Sequence, residues 1–160
     1  MQAVNYRPIG VIHSPFQDVE GIPIQPPGAS EVAGIIEIEP TLQPGLKDLS
    51  GFSHIILIYH FHASKGCDLE VKPFLDNSLR GVFATRAPRR PNPIGLSVVK
   101  LLSVEGCTLR IQGIDVLDGT PLLDIKPFVP EFDAPNAVRI GWLSDRVQNV
   151  ENARSDDRFK

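Results

Sequence analysis

The chain has few cysteines, and it lacks the features of membrane and secreted proteins. Cys67 and Cys107 are its only cysteines and form no Cys-x-x-Cys pair, so we expect no disulfide framework and no zinc motif of that type. The longest apolar run, residues 55–59, is far too short to cross a bilayer. No basic start followed by an apolar stretch marks a signal peptide. The sequence therefore predicts a cytoplasmic protein with no membrane contact.

The common glycine-rich nucleotide motifs and an excess of positive charge are also missing. Neither Gly-x-Gly-x-x-Gly after a strand nor Gly-x-x-x-x-Gly-Lys-Ser/Thr is present, which argues against a Rossmann fold or a P-loop. The formal net charge is −3, with 16 Lys and Arg against 19 Asp and Glu. Proteins that coat nucleic acid nonspecifically are usually basic. Any contact with nucleic acid would therefore use a local basic surface.

The distribution of proline and glycine predicts a small, mainly β single domain, a barrel or sandwich with short helices. Fifteen prolines and thirteen glycines separate short apolar runs along the 160 residues, as in folds of many short strands joined by turns. We predict strands at residues 9–13, 34–39, 54–61, 82–85, 96–102, 108–114, 122–126 and 138–142. Helical signal is limited to one turn near residues 45–49 and a tail helix after Ser144, a good N-cap residue. We expect disorder only over residues 151–160, where apolar residues thin out.

The most unusual segment is the loop at residues 81–95. It carries three arginines, three prolines and an asparagine, and no acidic residue occurs from Gly81 to Lys100. Proline restricts its own φ and the residue before it, so the loop is stiff. A stiff loop with guanidinium groups can bind phosphate, carboxylate or a nucleobase edge at a low ordering cost. A solvated turn with ordinary salt bridges is the alternative, but the bracketing prolines favour a binding site.

Three of the four histidines lie close together at His54, His60 and His62. On a strand these three side chains would share one face, because side chains alternate. A His-x-His pair can ligate zinc or iron. The remaining histidine is His13, and no Glu or Cys stands at a spacing that supplies a third ligand. We therefore predict no metal site, and we favour His62 as a strand-end residue that lines a ligand pocket over purely local hydrogen bonding.

The segment at residues 113–127 is acidic and complements the basic loop. Its Asp-Gly-Thr-Pro unit at residues 118–121 is typical of a turn in which Asp bonds its own backbone and glycine takes a positive φ. A plain hairpin turn explains it. Alternatively, its carboxylates face a cationic or amino-bearing ligand, across one pocket from the arginines. The proline-rich residues 21–28 are too rigid for a random tether, although a connector also explains them.

Taken together, several motifs resemble one known family. They are Tyr6-Arg-Pro-Ile-Gly-Val-Ile-His-Ser-Pro-Phe16, Gly51-Phe-Ser-His54, the loop Gly81-Val-Phe-Ala-Thr-Arg-Ala-Pro-Arg-Arg-Pro-Asn-Pro-Ile-Gly95, and Asp115-Val-Leu-Asp-Gly-Thr-Pro121 followed by Asp124-Ile-Lys-Pro-Phe128. The chain resembles the TsaA-like β-barrel methyltransferases, which methylate N6 of N6-threonylcarbamoyladenosine beside the anticodon of tRNA. The resemblance implies a β-barrel domain over residues 6–143, a C-terminal tail over residues 144–160, S-adenosylmethionine as cofactor, the tRNA anticodon loop as partner and a homodimer.

The resemblance also implies where the ligands bind. By position, the cofactor site comprises Pro23, Ile24, Gln25, His62, Ala63, Arg86, Leu96, Asp115, Val116, Leu117 and Asp118. Arg89, Arg90 and Asn92 would contact the substrate, since planar guanidinium groups suit a threonyl carboxylate or an anticodon-loop phosphate. His62 is the candidate general base.

Two other functions remain open from the sequence. One is a non-catalytic β-barrel module that binds a nucleotide or RNA through the same loop. The other is a metal-dependent hydrolase that uses His60 and His62.

Overall fold

In the computed structural model, which describes residues 2–159, six strands close into a barrel and two form a separate small sheet. The strands are β1 (Gly10–His13), β2 (Ala33–Ile38), β3 (His54–His60), β4 (Glu70–Val71), β5 (Arg80–Gly81), β6 (Ile94–Glu105), β7 (Thr108–Gln112) and β8 (Thr120–Pro127). The order around the barrel is β1–β2–β7–β6–β3–β8, and β8 closes on β1. Neighbouring strands are antiparallel. The predicted mainly β barrel is confirmed.

The barrel interior is a packed apolar core, because alternate side chains of each strand point inward. In β3 the inward residues are Ile55, Leu57 and Tyr59, and the residues between them are more exposed. The other strands and the segment before β8 add Ile12, Ile36, Ile38, Val99, Leu101, Leu109, Ile111, Ile114, Val116 and Leu122. A ligand must therefore bind at the rim or outside wall of the barrel.

Gly95 allows two aromatic rings to pack where β6 begins. Gly95 pairs with Tyr59 across β3 and β6. A Cβ atom on Gly95 would overlap the Tyr59 ring and lie 2.8 Å from Cζ of Phe61. The rings of Tyr59 and Phe61 meet edge to face at 5.4 Å between centroids. A residue larger than glycine would displace this pair.

Two predicted strands are wrong. In residues 82–85, Val82–Ala84 forms a 3-10 helix, since both the amide and the hydroxyl of Thr85 donate to the Val82 carbonyl oxygen. Residues 138–142 form no strand, and a 3-10 turn occupies Gly141–Leu143. Trp142 uses its ring nitrogen to donate to the Ala84 carbonyl oxygen at 2.8 Å.

The helical elements of residues 2–159 are short. They are 3-10 helices at Pro26–Ala29, Pro40–Leu46, Leu49–Gly51, Val82–Ala84, Gly141–Leu143, Val147–Asn152 and Asp157–Phe159, and one α-helical turn at Pro130–Asp133. The turn predicted near residues 45–49 falls between two of them, and the predicted tail helix is the 3-10 helix Val147–Asn152. None of these helices has the length and apolar character needed to cross a membrane.

The tail is docked rather than disordered as far as Phe159, and Lys160 lies outside the described residues. Ser155 hydrogen-bonds to the segment that precedes Pro23. Phe159 packs on a second apolar cluster, formed by Val71, Val82 and Ala87. The prediction of disorder is wrong because Ser155 and Phe159, which lie among polar residues, attach the tail to the rest of the protein.

Candidate active site

A cavity of about 360 Å³ lies at one end of the barrel, where β3 ends and β6 and β8 begin. Ten of the eleven residues predicted to bind cofactor line it: Pro23, Ile24, Gln25, His62, Ala63, Arg86, Leu96, Asp115, Val116 and Leu117. They come from four stretches far apart in sequence. Leu96 lies on β6, and residues 115–117 form the loop that enters β8. The folding of the barrel therefore brings these stretches together at one end.

Asp115 is a carboxylate that lines this cavity. Its Oδ1 atom accepts a 2.6 Å hydrogen bond from the Ser97 hydroxyl. The Ser97 oxygen lies 3.0 Å from the Tyr59 hydroxyl. Since Ser97 gives its proton to the carboxylate, Tyr59 donates to Ser97. The three side chains form one chain of hydrogen bonds from the barrel core to the cavity.

Burial controls the charge of Asp115. It raises the pKa of the carboxyl from 3.8 to about 6, although the Ser97 hydrogen bond and the positive charge of Arg86 act in the opposite direction. Burial also raises the pKa of Tyr59, and the nearby Asp115 charge adds to this effect. Tyr59 therefore stays protonated and remains a donor. Asp115 changes its charge just below neutral pH, which is a property of functional carboxylates.

Arg86 is one of two arginines that line the cavity. Its Nη1 atom donates a 2.8 Å hydrogen bond to Oε1 of Gln25. This bond joins the arginine–proline loop to the proline-rich residues 21–28. The side chain of Arg86 is otherwise exposed, so the guanidinium is available to a ligand. A carboxylate, Asp115, and a guanidinium, Arg86, thus face the same cavity.

The other two arginines of the loop have protein partners. Nη1 of Arg90 donates to the carbonyl oxygens of Val82, Thr85 and Ala87, at 3.1, 2.9 and 3.3 Å. Arg90 also lines the cavity. Arg89 forms an ion pair with Asp68 in which Nε and Oδ2 are 2.9 Å apart. Asn92 is exposed on the loop. Neither Arg89 nor Asn92 lines the cavity.

His54 and His62 lie at opposite ends of β3. His62 follows β3 and lines the cavity, where its backbone amide donates to the His60 carbonyl oxygen at 2.8 Å. His54 lies at the opposite end of β3, next to Ser53. Among residues 2–159, no three His, Cys, Asp or Glu side chains come together in a group that could hold a metal ion.

Asp118 is the predicted cofactor residue that does not line the cavity. Its Oδ1 atom accepts a hydrogen bond from the Ser14 amide at 3.1 Å and lies 3.3 Å from Nδ1 of His13. These bonds, that from Ser14 first, lower the pKa of the Asp118 carboxyl. The Asp118 carboxylate therefore ties the start of β8 to the end of β1, as expected of a turn residue.

Comparison with known proteins identifies the family. The family described as the tRNA-methyltransferase O N-terminal domain matches residues 11–134. The chain belongs to this family. It is 57% identical over 154 residues to a probable S-adenosyl-L-methionine-binding protein of Pyrococcus abyssi, a match that covers 96% of this chain and 84% of that protein.

Solved structures agree with the fold of this TrmO-family chain. TrmO from Pseudomonas aeruginosa is 40% identical, with a TM-score of 0.75 over 88% of this chain and 63% of that one. A human tRNA (adenine(37)-N6)-methyltransferase is 38% identical over 153 residues, which are 91% of this chain and 35% of the human protein. The chain therefore spans most of the archaeal relative, but less than two thirds of the solved TrmO chain.

A second groove of about 980 Å³ adjoins the cavity of this TrmO-family chain. Its lining includes the exposed ring of Phe83, the partly buried Trp142, and the basic side chains of His54 and Lys100. Six residues line both the groove and the cavity: Ile24, Gln25, Phe74, Thr85, Arg86 and Phe159. The two spaces therefore share a wall, with Arg86 in it.

Several lining residues were missed by the sequence reasoning. The sequence did not single out Tyr59 or Ser97 as site residues. The tail residues Ser155, Asp156 and Phe159 also line the cavity. The inward position of Tyr59 on β3 is a signal that could have been used, because a hydroxyl in a barrel core needs a partner. No local pattern marks the tail residues.

Proposed function

We propose that this protein is a cytoplasmic S-adenosylmethionine-dependent tRNA methyltransferase that acts on N6 of N6-threonylcarbamoyladenosine next to the anticodon. The observation that carries the proposal is the cavity of this TrmO-family barrel, where Asp115 and Arg86 face the same space. The names of the Pyrococcus and human relatives support the cofactor and the adenine N6 target, respectively. That this adenine carries a threonylcarbamoyl group is the most specific part of the proposal.

The donor set of the cavity suits S-adenosylmethionine. A volume of about 360 Å³ is within the range of about 300–1,000 Å³ of small-molecule sites. Apolar side chains such as Ile24 and Leu117 can cover an adenine ring and a methylene chain. Asp115 complements a cationic group, and Arg86 complements a carboxylate. When bound, the cofactor supplies a methyl group on a positively charged sulfur.

The protein's main task in such a transfer is alignment, because the reacting atoms must lie in line. The hydrogen bonds from Tyr59 through Ser97 hold the Asp115 carboxylate in one orientation. The bond from Arg86 to Gln25 fixes the opposite wall. A carboxylate fixed in this way stabilises positive charge without reorganisation.

The nitrogen that receives the methyl group carries a proton that must leave. We propose His62 as the general base, since it lines the cavity and is exposed at its mouth.

Arg90 is the proposed partner of the threonyl carboxylate. Its bonds to three carbonyl oxygens use Nη1, while the side chain still lines the cavity. An anchored guanidinium loses little freedom when it binds an anion. Arg89 and Asn92 lie farther along the loop, and we propose that they contact the anticodon-loop backbone.

The groove beside the cavity suits an RNA loop. Bases of a single-stranded loop can splay outward and stack on aromatic or guanidinium planes, and Phe83, with 76% of its surface exposed, offers such a plane. Lys100 and Arg86 supply positive charge along the same groove. We also propose a homodimer, which exposed apolar side chains outside the groove, such as Leu69 and Leu79, would support.

The test is methyl transfer from labelled S-adenosylmethionine to purified tRNA. We expect label in tRNA that carries the threonylcarbamoyl group and none in matched tRNA that lacks it. Equal labelling of both would overturn the threonylcarbamoyl part of the proposal. Binding of cofactor and tRNA without any transfer would favour the non-catalytic module.

A further inference from the structure

The tail segment, residues 154–159, lies outside the residues that match the TrmO family, which end at residue 134. It nevertheless lines the cavity through Ser155, Asp156 and Phe159. These side chains lie beside Pro23, Ile24 and Gln25, which were predicted to bind the cofactor. Part of the cavity wall therefore comes from residues that the family match does not cover.

Ser155 joins the tail segment to the residues just before Pro23. Its backbone makes two bonds: the Gly21 amide donates to the Ser155 carbonyl oxygen at 2.9 Å, and the Ser155 amide donates to the Ile22 carbonyl oxygen at 2.8 Å. Its hydroxyl accepts from the Ile22 amide at 2.9 Å and donates to the Val19 carbonyl oxygen at 2.6 Å. One serine thus satisfies four backbone groups of a loop that lies outside the barrel sheet.

The other end of the tail segment is attached to the loop after β4. Nη1 of Arg158 donates to the Pro73 carbonyl oxygen at 2.9 Å, and its guanidinium lies 5.0 Å from the ring centroid of Phe74. The Phe159 ring meets Phe74 edge to face at 5.1 Å. Asp156 orients Arg158 through an ion pair of 2.6 Å, and this contact lowers the pKa of the Asp156 carboxyl.

We propose that the tail segment is part of the cofactor site. Ser155 is a positioning residue, which holds residues 19–25 in the shape that lines the cavity, and Phe159 closes the cavity at its aromatic corner with Phe74. The identity of the ligand rests on the proposed function above. The role of the tail rests on the contacts of Ser155, Arg158 and Phe159.

The energetic argument is one of preorganisation. Without the Ser155 hydroxyl, the Ile22 amide and the Val19 carbonyl oxygen would exchange their bonds to it for water, and the loop would gain conformational freedom. A ligand would then have to order the loop when it binds, and this cost would appear as lost affinity. Phe159 contributes differently, since its removal opens the cavity to solvent next to Phe74.

The experiment measures S-adenosylmethionine affinity by calorimetry on full-length variants. We expect Ser155→Ala and Phe159→Ala each to weaken binding by about tenfold. Asp157→Asn is the matched control, because Asp157 is an exposed carboxylate in the same segment that does not line the cavity, and its affinity should match the wild type. Wild-type affinity in both Ser155→Ala and Phe159→Ala would overturn the proposal.

Hydrogen exchange on the wild-type protein provides a second readout that needs no variant to fold. Saturating S-adenosylmethionine should slow exchange of the amides at residues 155–159 and 21–22 more than that of the β2–β7 amides. Unchanged exchange in the tail, with ligand bound, would overturn the proposal. A wild-type protein that binds no S-adenosylmethionine would instead contradict the proposed function, so the two failures can be told apart.

Discussion

Ser97 donates a 2.6 Å hydrogen bond to Asp115, and this bond links the barrel core to the ligand cavity. Ser97 is almost fully buried on β6, with 1% of its surface exposed. Within residues 2–159, its hydroxyl bonds with Tyr59 and Asp115. The orientation of a cavity carboxylate is therefore set by residues of the core, and four predictions about the site follow from this network and from the arginine loop.

The affinity for S-adenosylmethionine should depend on pH through Asp115. In the ligand-free protein, burial raises the pKa of the Asp115 carboxyl to about 6. The negative charge that attracts a cationic ligand therefore appears as the pH rises through that value. We expect affinity to increase over the same range. Ser97→Ala should move the midpoint to higher pH, because the Ser97 hydrogen bond stabilises the ionised form. Calorimetric titrations from pH 5 to 8 check both effects.

S-adenosylhomocysteine is the control for this pH dependence. Its sulfur is uncharged, so its affinity should change less with pH than that of S-adenosylmethionine. The same pH dependence for both ligands would contradict a role for Asp115 toward the positive sulfur.

Asp115→Asn should stabilise the ligand-free protein at neutral pH while it weakens cofactor binding. A raised pKa means that the folded state binds the proton more tightly than the unfolded state. That contribution to the free energy of unfolding is fully present below pH 3.8 and is lost as the pH rises through about 6. Asparagine stays neutral, so we expect a gain of about 1–2 kcal/mol at pH 7.5, measured by urea unfolding. At pH 4 the two proteins should differ much less, and a variant less stable than wild type at pH 7.5 would refute the argument.

Arg86 and Arg89 should separate cofactor binding from tRNA binding. Arg86→Ala removes one of the two arginines that line the cavity, together with its bond to Gln25, so we expect S-adenosylmethionine binding to be lost in calorimetry. Arg89→Ala should retain cofactor affinity and weaken tRNA binding, which a filter-binding assay measures. Unchanged cofactor affinity in Arg86→Ala would remove that residue from the pocket, and lost cofactor affinity in Arg89→Ala would reverse the assignment.

Arg90→Ala should lower stability as well as activity. The carbonyl oxygens of Thr85 and Ala87 would lose this donor, and that of Val82 would keep only its bonds from Thr85, at a cost of about 1–3 kcal/mol. Urea unfolding measures the loss, and Asn92→Ala on the same loop is the control that should leave stability unchanged. Wild-type stability in Arg90→Ala would show that the guanidinium bonds do not support the loop.

The spacing of proline and glycine predicted the mainly β fold, whereas most of the cavity residues came from the resemblance to the TsaA-like family. Alternation in residues 54–60 separated the two faces of β3, and the arginine–proline loop marked a binding site. Asp118 stays a prediction: a turn carboxylate and a ligand carboxylate look alike in sequence, and in the structure Asp118 bonds Ser14 and His13 and does not line the cavity. Ser97 and Ser155 could not be found, since their partners, Asp115 and Val19, lie 18 and 136 positions away.

Because the bond between Ser155 and Val19 needs a residue near the end of the chain, it can form only after the barrel strands have been synthesised. All six barrel strands are made once Pro127 has been added, and Ser155 follows 28 positions later in the chain. A nascent chain can therefore form its core before the tail part of the cavity wall is made. Because chains fold progressively as they are synthesised, the barrel strands can pair while Ser155, Asp156 and Phe159 are still to be added. A message cut short in this interval would encode every barrel strand but not these three residues of the binding site.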